Sequence, residues 1–542
     1  MAEAPLDTSP RAHPWLWPLI LVTLAVIFAL PTLDEPFSRD QGVYAAFADI
    51  LRSGGLPYVN AWDHKPPAVY YVYAGIFDLL GRSTFAVRLF DLFFVLAVMA
   101  AIYALAKRAF DATAGKAAAF LIALVYLCDT KYDHRAEADS YMMLPMALAA
   151  LFLVQAKPGR WRLAWVAATG FMATLCIWLK VTAAMTVLAF GVFLLVEGLL
   201  TRQRPARIAG EAGVYLLGVI AAIVPGVLYA WKAGFLNAMI EIVVKFNSEY
   251  YAVSAREAGG ALGMAKAMLQ TLGWWPYLIL PAIVAAVAAV MRRRRDELAV
   301  LVFSGSAVAA VLMQGKFWLY QWLPVFPTWA VMAGAAYVEA GRRITWRGLS
   351  PGRDNRNLLL ALTMVTLATF TLATWADDAA QSIAYHRGRM TEARFYGGEI
   401  KPGAYEERFG RYHFGDFSYW ADLQVAAYLQ ERTGPQDRIY IWGFEPLIYF
   451  LADRKPTSRF LMDHPLYAPF AKREAWRQEL LDDLARDPPL YFLVVRNDIF
   501  ELQAVDSATQ LERFPALKGY LLGHYRLEQV IEDFALWRRM ER

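Results

Sequence analysis

Two short polar stretches carry the side chains best able to do chemistry in this chain. The first holds Asp40 and then Asp63-His64-Lys65-Pro66-Pro67, just after the first long apolar run. The second is Asp133-His134-Arg135-Ala136-Glu137-Ala138-Asp139. Charge is expensive near hydrocarbon and is seldom kept there without a use. Asp40 suits a general base, because low-dielectric surroundings raise a carboxylate's proton affinity. The same position suits a helix N-cap, and the two roles can coexist. Lys65 precedes two prolines whose rings fix the backbone, so its ammonium is held rigidly, as a phosphate site or a snorkelling anchor requires. His64 beside Asp63 reads as a metal ligand or, more simply, as a hydrogen-bonded structural histidine. In the second stretch an extended backbone would turn Arg135, Glu137 and Asp139 to one face. There a guanidinium fork suits phosphate, and the carboxylates suit sugar hydroxyls or a divalent metal. A further lysine, Lys316, lies in Gln314-Gly315-Lys316-Phe317-Trp318-Leu319-Tyr320-Gln321-Trp322. It reads as an interfacial anchor or as a second cation for the same anion.

What must position these groups is a membrane bundle. Of the 542 residues, 58% are hydrophobic, 14% aromatic and 19% charged, against about a quarter charged in soluble chains. The net charge of +5 hides an asymmetry. From Asp377 onward there are 22 Lys/Arg and 26 Asp/Glu, so the basic excess sits in the apolar part and needs no nucleic-acid partner. Two cysteines, Cys128 and Cys176, imply no disulfide framework. The first apolar run lacks a small-residue cleavage site and reads as a retained span.

Apolar runs of crossing length occur near 15–33, 85–106, 212–231, 274–291, 298–314, 317–338 and 357–376, with 116–156 divided in two by its charged centre. The connections 107–116, 157–162, 201–211, 292–297 and 341–357 hold 3, 3, 3, 4 and 5 Lys/Arg. If all five face the cytoplasm, as the positive-inside rule expects, an even number of crossings separates each pair. Residues 163–200 are then a hairpin turning near Lys180. The count becomes eleven spans, with Asp40, Lys65, Arg135 and Lys316 all on the outer face. Val43–Gly54 and Pro66–Gly81 are too short to cross and read as interfacial helices in the first outer loop. After Ala376 the composition becomes that of a soluble α/β domain, with strands at Asp437–Trp442 and Leu490–Arg496 and helices near Trp420–Arg432 and Lys472–Arg486. The expected domains are 1–376 and 377–542. No P-loop, dinucleotide fingerprint, HExxH or GxSxG pattern occurs, which leaves ATPase, Rossmann and hydrolase readings without support.

Three elements together resemble the GT-C superfamily of membrane glycosyltransferases, in particular bacterial family-39 members related to protein O-mannosyltransferases and aminoarabinose transferases. Arg39-Asp40-Gln41-Gly42-Val43-Tyr44 resembles the family's first-loop Asp-Glu-x-x-Tyr pattern. Asp63-His64-Lys65-Pro66-Pro67 resembles the Lys-Pro-Pro that follows it. Gly315-Lys316 leading to Leu323-Pro324-Val325-Phe326-Pro327 resembles a late lysine and Leu-Pro-x-x-Pro element. Gln41 departs from the pattern where relatives carry a second acid.

The resemblance implies an inverting transferase that takes a sugar from a polyprenyl-phosphate donor to a lipid, glycan or protein acceptor. It places the enzyme in the bacterial cytoplasmic membrane, with the site and C-terminal domain outside. Asp40 would take the acceptor proton, with Glu137 and Asp139 completing the catalytic set by orienting sugar or acceptor. Lys65, Arg135 and Lys316 would bind the donor phosphate, and Tyr44, Asp63 and His64 would contact substrate. No cofactor is required by this chemistry, and a divalent metal is a possible addition. A transporter or flippase of lipid-linked sugars is the non-enzyme alternative. Such folds show internal repeats and broken spans at mid-membrane, whereas here no repeat is visible and the charges gather at one face. An O-antigen-ligase-like or polymerase-like enzyme would keep the lipid-linked donor but change the fold.

Overall fold

The computed structural model describes residues 15–257, 260–343, 394–395, 397–407, 409–410, 417–499 and 505–541. The expected eleventh span at 357–376, and the domain boundary after Ala376, lie outside these residues. The first part is a helical bundle: α1 Leu16–Ala29, α2 Arg39–Arg52, α3 Ala68–Leu80, α4 Thr84–Ala109, α5 Ala112–Leu124, α6 Ala138–Gln155, α7 Arg162–Leu175, α8 Ala184–Leu200, α9 Pro205–Ala233, α10 Leu236–Met239, α11 Asn247–Glu257, α12 Gly260–Leu272, α13 Pro276–Arg292, α14 Arg295–Gln314 and α15 Phe326–Arg343. Among the described residues six helices are long and apolar enough to cross a membrane. The number rises to seven if the pair Gly260–Thr271 and Pro276–Arg292, bent by 107°, is one span.

The stretch 163–200 does break at Lys180, which is extended between two short turns that end α7 and begin α8. Helix α7 packs closely on α9. At Gly218 a Cβ would lie 2.1 Å from the Ala167 carbonyl oxygen, so only glycine permits that approach.

Three of the five basic connections are bonded to one another. Arg162 bridges Glu211 at 2.7 Å, Lys157 bridges Asp296 at 2.6 Å, and Arg295 pairs with Glu197. The 157–162, 201–211 and 292–297 connections are thereby tied together. Arg342 in turn reaches Asp111 at 2.9 Å.

The apolar stripe of α2 does not lie open as a helix resting on lipid would leave it: Val43 and Phe47 are buried, and Phe47 stacks on Tyr70 of α3 with ring centroids 3.8 Å apart. Its other side is covered by the helix Leu447–Ala452 from the C-terminal region.

That region contains a five-stranded sheet of order β2-β1-β3-β5-β4, with β1 Arg438–Trp442, β2 Lys455–Pro456, β3 Tyr491–Val495, β4 Tyr525–Ile531 and β5 Phe534–Arg539. Strand β1 runs parallel to β2 and β3, and the β4–β5 hairpin joins antiparallel through β5. The two expected strands are β1 and β3, buried runs at the centre of the sheet. The two expected helices are Tyr419–Arg432 and Arg473–Arg486.

Candidate active site

Helix α2 starts one residue before Asp40. Ser38 is its extended N-cap and forms a capping box with Gln41, whose Oε1 accepts the Ser38 N–H at 3.0 Å. Asp40 is therefore not the cap. It sits in the first turn, where a carboxylate is favoured by the helix dipole.

Gln41 explains its own departure from the acidic pattern. Its Nε2 donates to the carbonyls of Tyr132 (2.9 Å) and Arg135 (2.5 Å), while Arg88 Nη2 donates to its Oε1 at 3.1 Å. An acid there would turn a carboxylate oxygen toward two carbonyls. Gln41 thus pins the first polar stretch to the second.

The Asp63–Pro67 turn is held by its own acid. Asp63, almost fully buried, accepts the His64 N–H at 2.6 Å and the Tyr70 hydroxyl at 2.7 Å. Tyr58 donates to the Lys65 carbonyl at 2.8 Å. These bonds aim the Lys65 ammonium at Asp40 Oδ1, 3.3 Å away, and 4.9 Å over the Tyr44 ring. Burial opposes the charge on Lys65, but Asp40, Asp63 and Glu137 outweigh it and hold the ammonium above its ordinary range. His64 is pushed well below its usual value by burial and by Lys65 and Lys316, so it is neutral.

The 133–139 stretch does not present one face. Ala136 is left-handed at φ 57°, and α6 begins at Ala138 with Glu137 as N-cap. The extended alternation therefore fails, and the three side chains diverge. Arg135 turns into the protein, where it is 1% exposed and paired with Glu35. It does not reach the cavity described below. Glu137 accepts the Tyr44 hydroxyl at 2.6 Å, and burial, with Asp40 nearby, raises its proton affinity well above the usual carboxylate range. Asp139 accepts Lys180 Nζ at 2.7 and 2.9 Å.

Several of these groups border a cavity with about 720 Å³ of empty space, its open mouth included. Asp40, Asp63, Lys65, Lys180 and Lys316 supply its charged lining, and His64 stands beside them. Glu137, Asp139 and Tyr44 stand behind that lining as partners. Lys316 follows Gly315, which ends α14 at φ 68°, and lies 3.4 Å from the Tyr250 ring centroid in a cation–π contact. The lining thus brings three lysines to one cavity, with Lys180 paired to Asp139 behind it and Lys65 to Asp40 within it.

Asn247, Tyr250 and Tyr251 line the cavity without any signal in the sequence, and two further contributions stand out. From the sequence Lys180 marks only the turn of a hairpin, although it is the single charge between residues 163 and 196, itself a functional signal near hydrocarbon. Phe444, Met462 and His464 also line the cavity from the far end of the chain, and no local pattern announces them. Among the described residues no group of three or more His, Cys, Asp or Glu is arranged to hold a metal ion.

The described structure combines an apolar helical bundle, a carboxylate–lysine site fed by its first loop and a small α/β region folded over that loop. The family model for dolichyl-phosphate-mannose-protein mannosyltransferases matches residues 64–231, a stretch containing Lys65, Glu137, Asp139 and Lys180. The structure is similar to ArnT from Cupriavidus metallidurans bound to undecaprenyl phosphate, at 14% identity over 97% of this chain and 98% of that one, with a TM-score of 0.57. The apo state of the same protein matches at 14% identity over 96% and 97%, with a TM-score of 0.54. The archaeal oligosaccharyltransferase AglB from Archaeoglobus fulgidus, in complex with an inhibitory peptide and a dolichol-phosphate, matches at 12% identity over 98% and 75%, with a TM-score of 0.50. No curated protein sequence matches the chain. The chain thus shares the fold of these glycosyltransferases, and its described residues include several helices long and apolar enough to cross a membrane.

Proposed function

We propose that the protein transfers a sugar, with inversion, from a polyprenyl-phosphate donor to a hydroxyl of a lipid, glycan or protein acceptor at the outer face of the bacterial cytoplasmic membrane. The observation that carries this reading is the Asp40 carboxylate 3.3 Å from Lys65 in a cavity that also receives Lys180 and Lys316. The acceptor oxygen forms a bond to the anomeric carbon as its proton passes to Asp40. The bond from that carbon to the phosphate oxygen breaks, and its electron pair leaves with the polyprenyl phosphate. Lys65, Lys180 and Lys316 stabilise the charge that develops there. Lys180 replaces Arg135 in this role, because Arg135 is spent on Glu35. Glu137 and Asp139 act from behind the lining, holding Tyr44 and Lys180, while Asp63 shapes the Lys65 turn and neutral His64 borders the sugar.

The excess of Lys/Arg in the five basic connections supports a cavity on the outer face, with a transmembrane unit through 376 and a C-terminal domain from 377. The similar structures, one holding undecaprenyl phosphate and one a dolichol-phosphate, support the donor class. Transfer from a labelled polyprenyl-phosphate sugar in proteoliposomes tests the reading. Asp40→Asn is expected to lower transfer by about 10²–10⁴-fold, the usual range for a general base, with donor binding retained. Lys65→Ala is expected to weaken donor binding. Full transfer by Asp40→Asn removes the base from the scheme. Mass spectrometry of lipid A, glycans and lipid-linked sugars in cells with and without the protein identifies the acceptor.

A further inference from the structure

The helix that carries Asp40 is held by the C-terminal region at its first turn. Arg39 Nε and Nη2 donate to Glu445 Oε1 at 2.9 and 2.7 Å, and the two side chains are 11% and 2% exposed. The guanidinium lies 5.8 and 5.7 Å from the ring centroids of Phe417 and Phe444. Phe444 is itself part of the cavity wall, and its N–H donates to Asp498 Oδ2 at 3.2 Å. Further along α2, Gly42 sits against Leu447 with no room for a Cβ. Arg82, which bridges Asp49 of α2 at 2.6 Å, also donates to the Phe450 carbonyl at 2.6 Å. The segment from Phe444 to Phe450 therefore follows α2 from its first turn to its last.

We infer that Glu445 is a positioning residue for sugar transfer: through Arg39 it fixes the first turn of α2 and so the direction of the adjacent Asp40 carboxylate. This rests on the reading of Asp40 as the base. A misplacement of about 1 Å in such a group can cost about 10²-fold in rate, so Glu445 acts on catalysis from outside the cavity lining.

The charges around the pair make it sensitive to pH. Arg39 faces Glu445 from α2, Asp498 and Asp533 face it from the loops after β3 and β4, and Asp422 faces it from the helix Tyr419–Arg432. Glu532 faces Asp422 in turn, and Asp463 faces Asp498 and Arg39. Burial, opposed by Arg39, pushes the Glu445 carboxyl up to about 7. Above that value the pair is ionic. Below it Glu445 gains a proton, the grip on Arg39 weakens, and transfer falls.

The test uses the full-length protein in proteoliposomes with a polyprenyl-phosphate sugar. Glu445→Gln is expected to lower kcat by about 10–100-fold with donor KM within twofold, following the misplacement argument. It should also abolish the acid limb near neutrality. Arg39→Lys should recover part of the rate lost in Arg39→Gln. Hydrogen exchange supplies a readout independent of turnover: amides of 37–47 should exchange faster in Glu445→Gln, with β1 and β3 unchanged. Unchanged kcat with the acid limb intact overturns the inference, as does unchanged exchange in 37–47 or faster exchange throughout the sheet. If the wild-type protein transfers no sugar from such a donor, the proposed function fails, and the exchange measurement still decides the role of Glu445.

Discussion

Replacing Gly42 by alanine separates two effects of opposite sign. In the interior of an unencumbered helix the change stabilises by about 1 kcal/mol, because alanine is the better helix former. At this position the new Cβ would lie 2.7 Å from Leu447 Cβ and 3.0 Å from its Cα and N. Carbon pairs rest at about 3.5–4.0 Å, so α2 and the segment at Leu447 must part by about 1 Å. Overpacking of this kind costs about 1–3 kcal/mol, and the helix gain offsets about 1 of that. The net loss of stability is then at most about 2 kcal/mol. The rate suffers more, because Asp40 lies half a turn away and a shift of about 1 Å is worth about 10² in turnover. Gly75, in the adjacent α3, has nothing within 4 Å of its would-be Cβ and provides the control. Thermal unfolding in detergent and initial transfer rates in proteoliposomes report the two quantities. Gly75→Ala should be slightly stabilised and fully active, and Gly42→Ala slightly destabilised and about 10²-fold slower. If Gly42→Ala behaves like Gly75→Ala, the close seat of α2 on the C-terminal region has no catalytic consequence.

Lys180→Met strands the buried Asp139 carboxylate and should cost about 3–5 kcal/mol, the usual result of removing one partner of a buried pair. The double variant Lys180→Met/Asp139→Asn should regain the unfolding temperature but not the donor KM, and a wild-type KM in the double variant would remove Lys180 from the phosphate site. Gln41→Glu, which restores the acid common in relatives, is expected to lower the unfolding temperature. It exchanges a donor bonded to two carbonyls for an acceptor, at about 1–3 kcal/mol for each unmet group. Wild-type stability in that variant would show that the Tyr132 and Arg135 carbonyls do not select an amide.

The parts of the site that could be read along the chain are those fixed by short-range chemistry. Asp40 at a helix start, Lys65 before two prolines and Lys316 after a glycine each carry a local reason for their place, although the cap is Ser38 rather than Asp40, and all three line the cavity. Glu137 and Asp139 were recognisable as useful acids, but their directions were not. One left-handed residue, Ala136, breaks the alternation and sends Arg135 to Glu35. Strands β1 and β3 were legible because both are continuous apolar runs. The hairpin of β4 and β5 was not, since β4 alternates with exposed residues on a half-covered face. Least legible was the contact of Arg39 with Glu445, which no pattern within either segment requires.

The wall of the cavity is drawn from both extremes of the described sequence, with Asp40 near the start and His464 well past the last described helix of the bundle. A ribosome delivering this chain into a bilayer therefore lays down the lysines long before it makes the residues that close the pocket over them. Competence for transfer arrives only when the final third has emerged and folded back onto the first loop, and a nascent chain stalled earlier carries the charges without the enclosure.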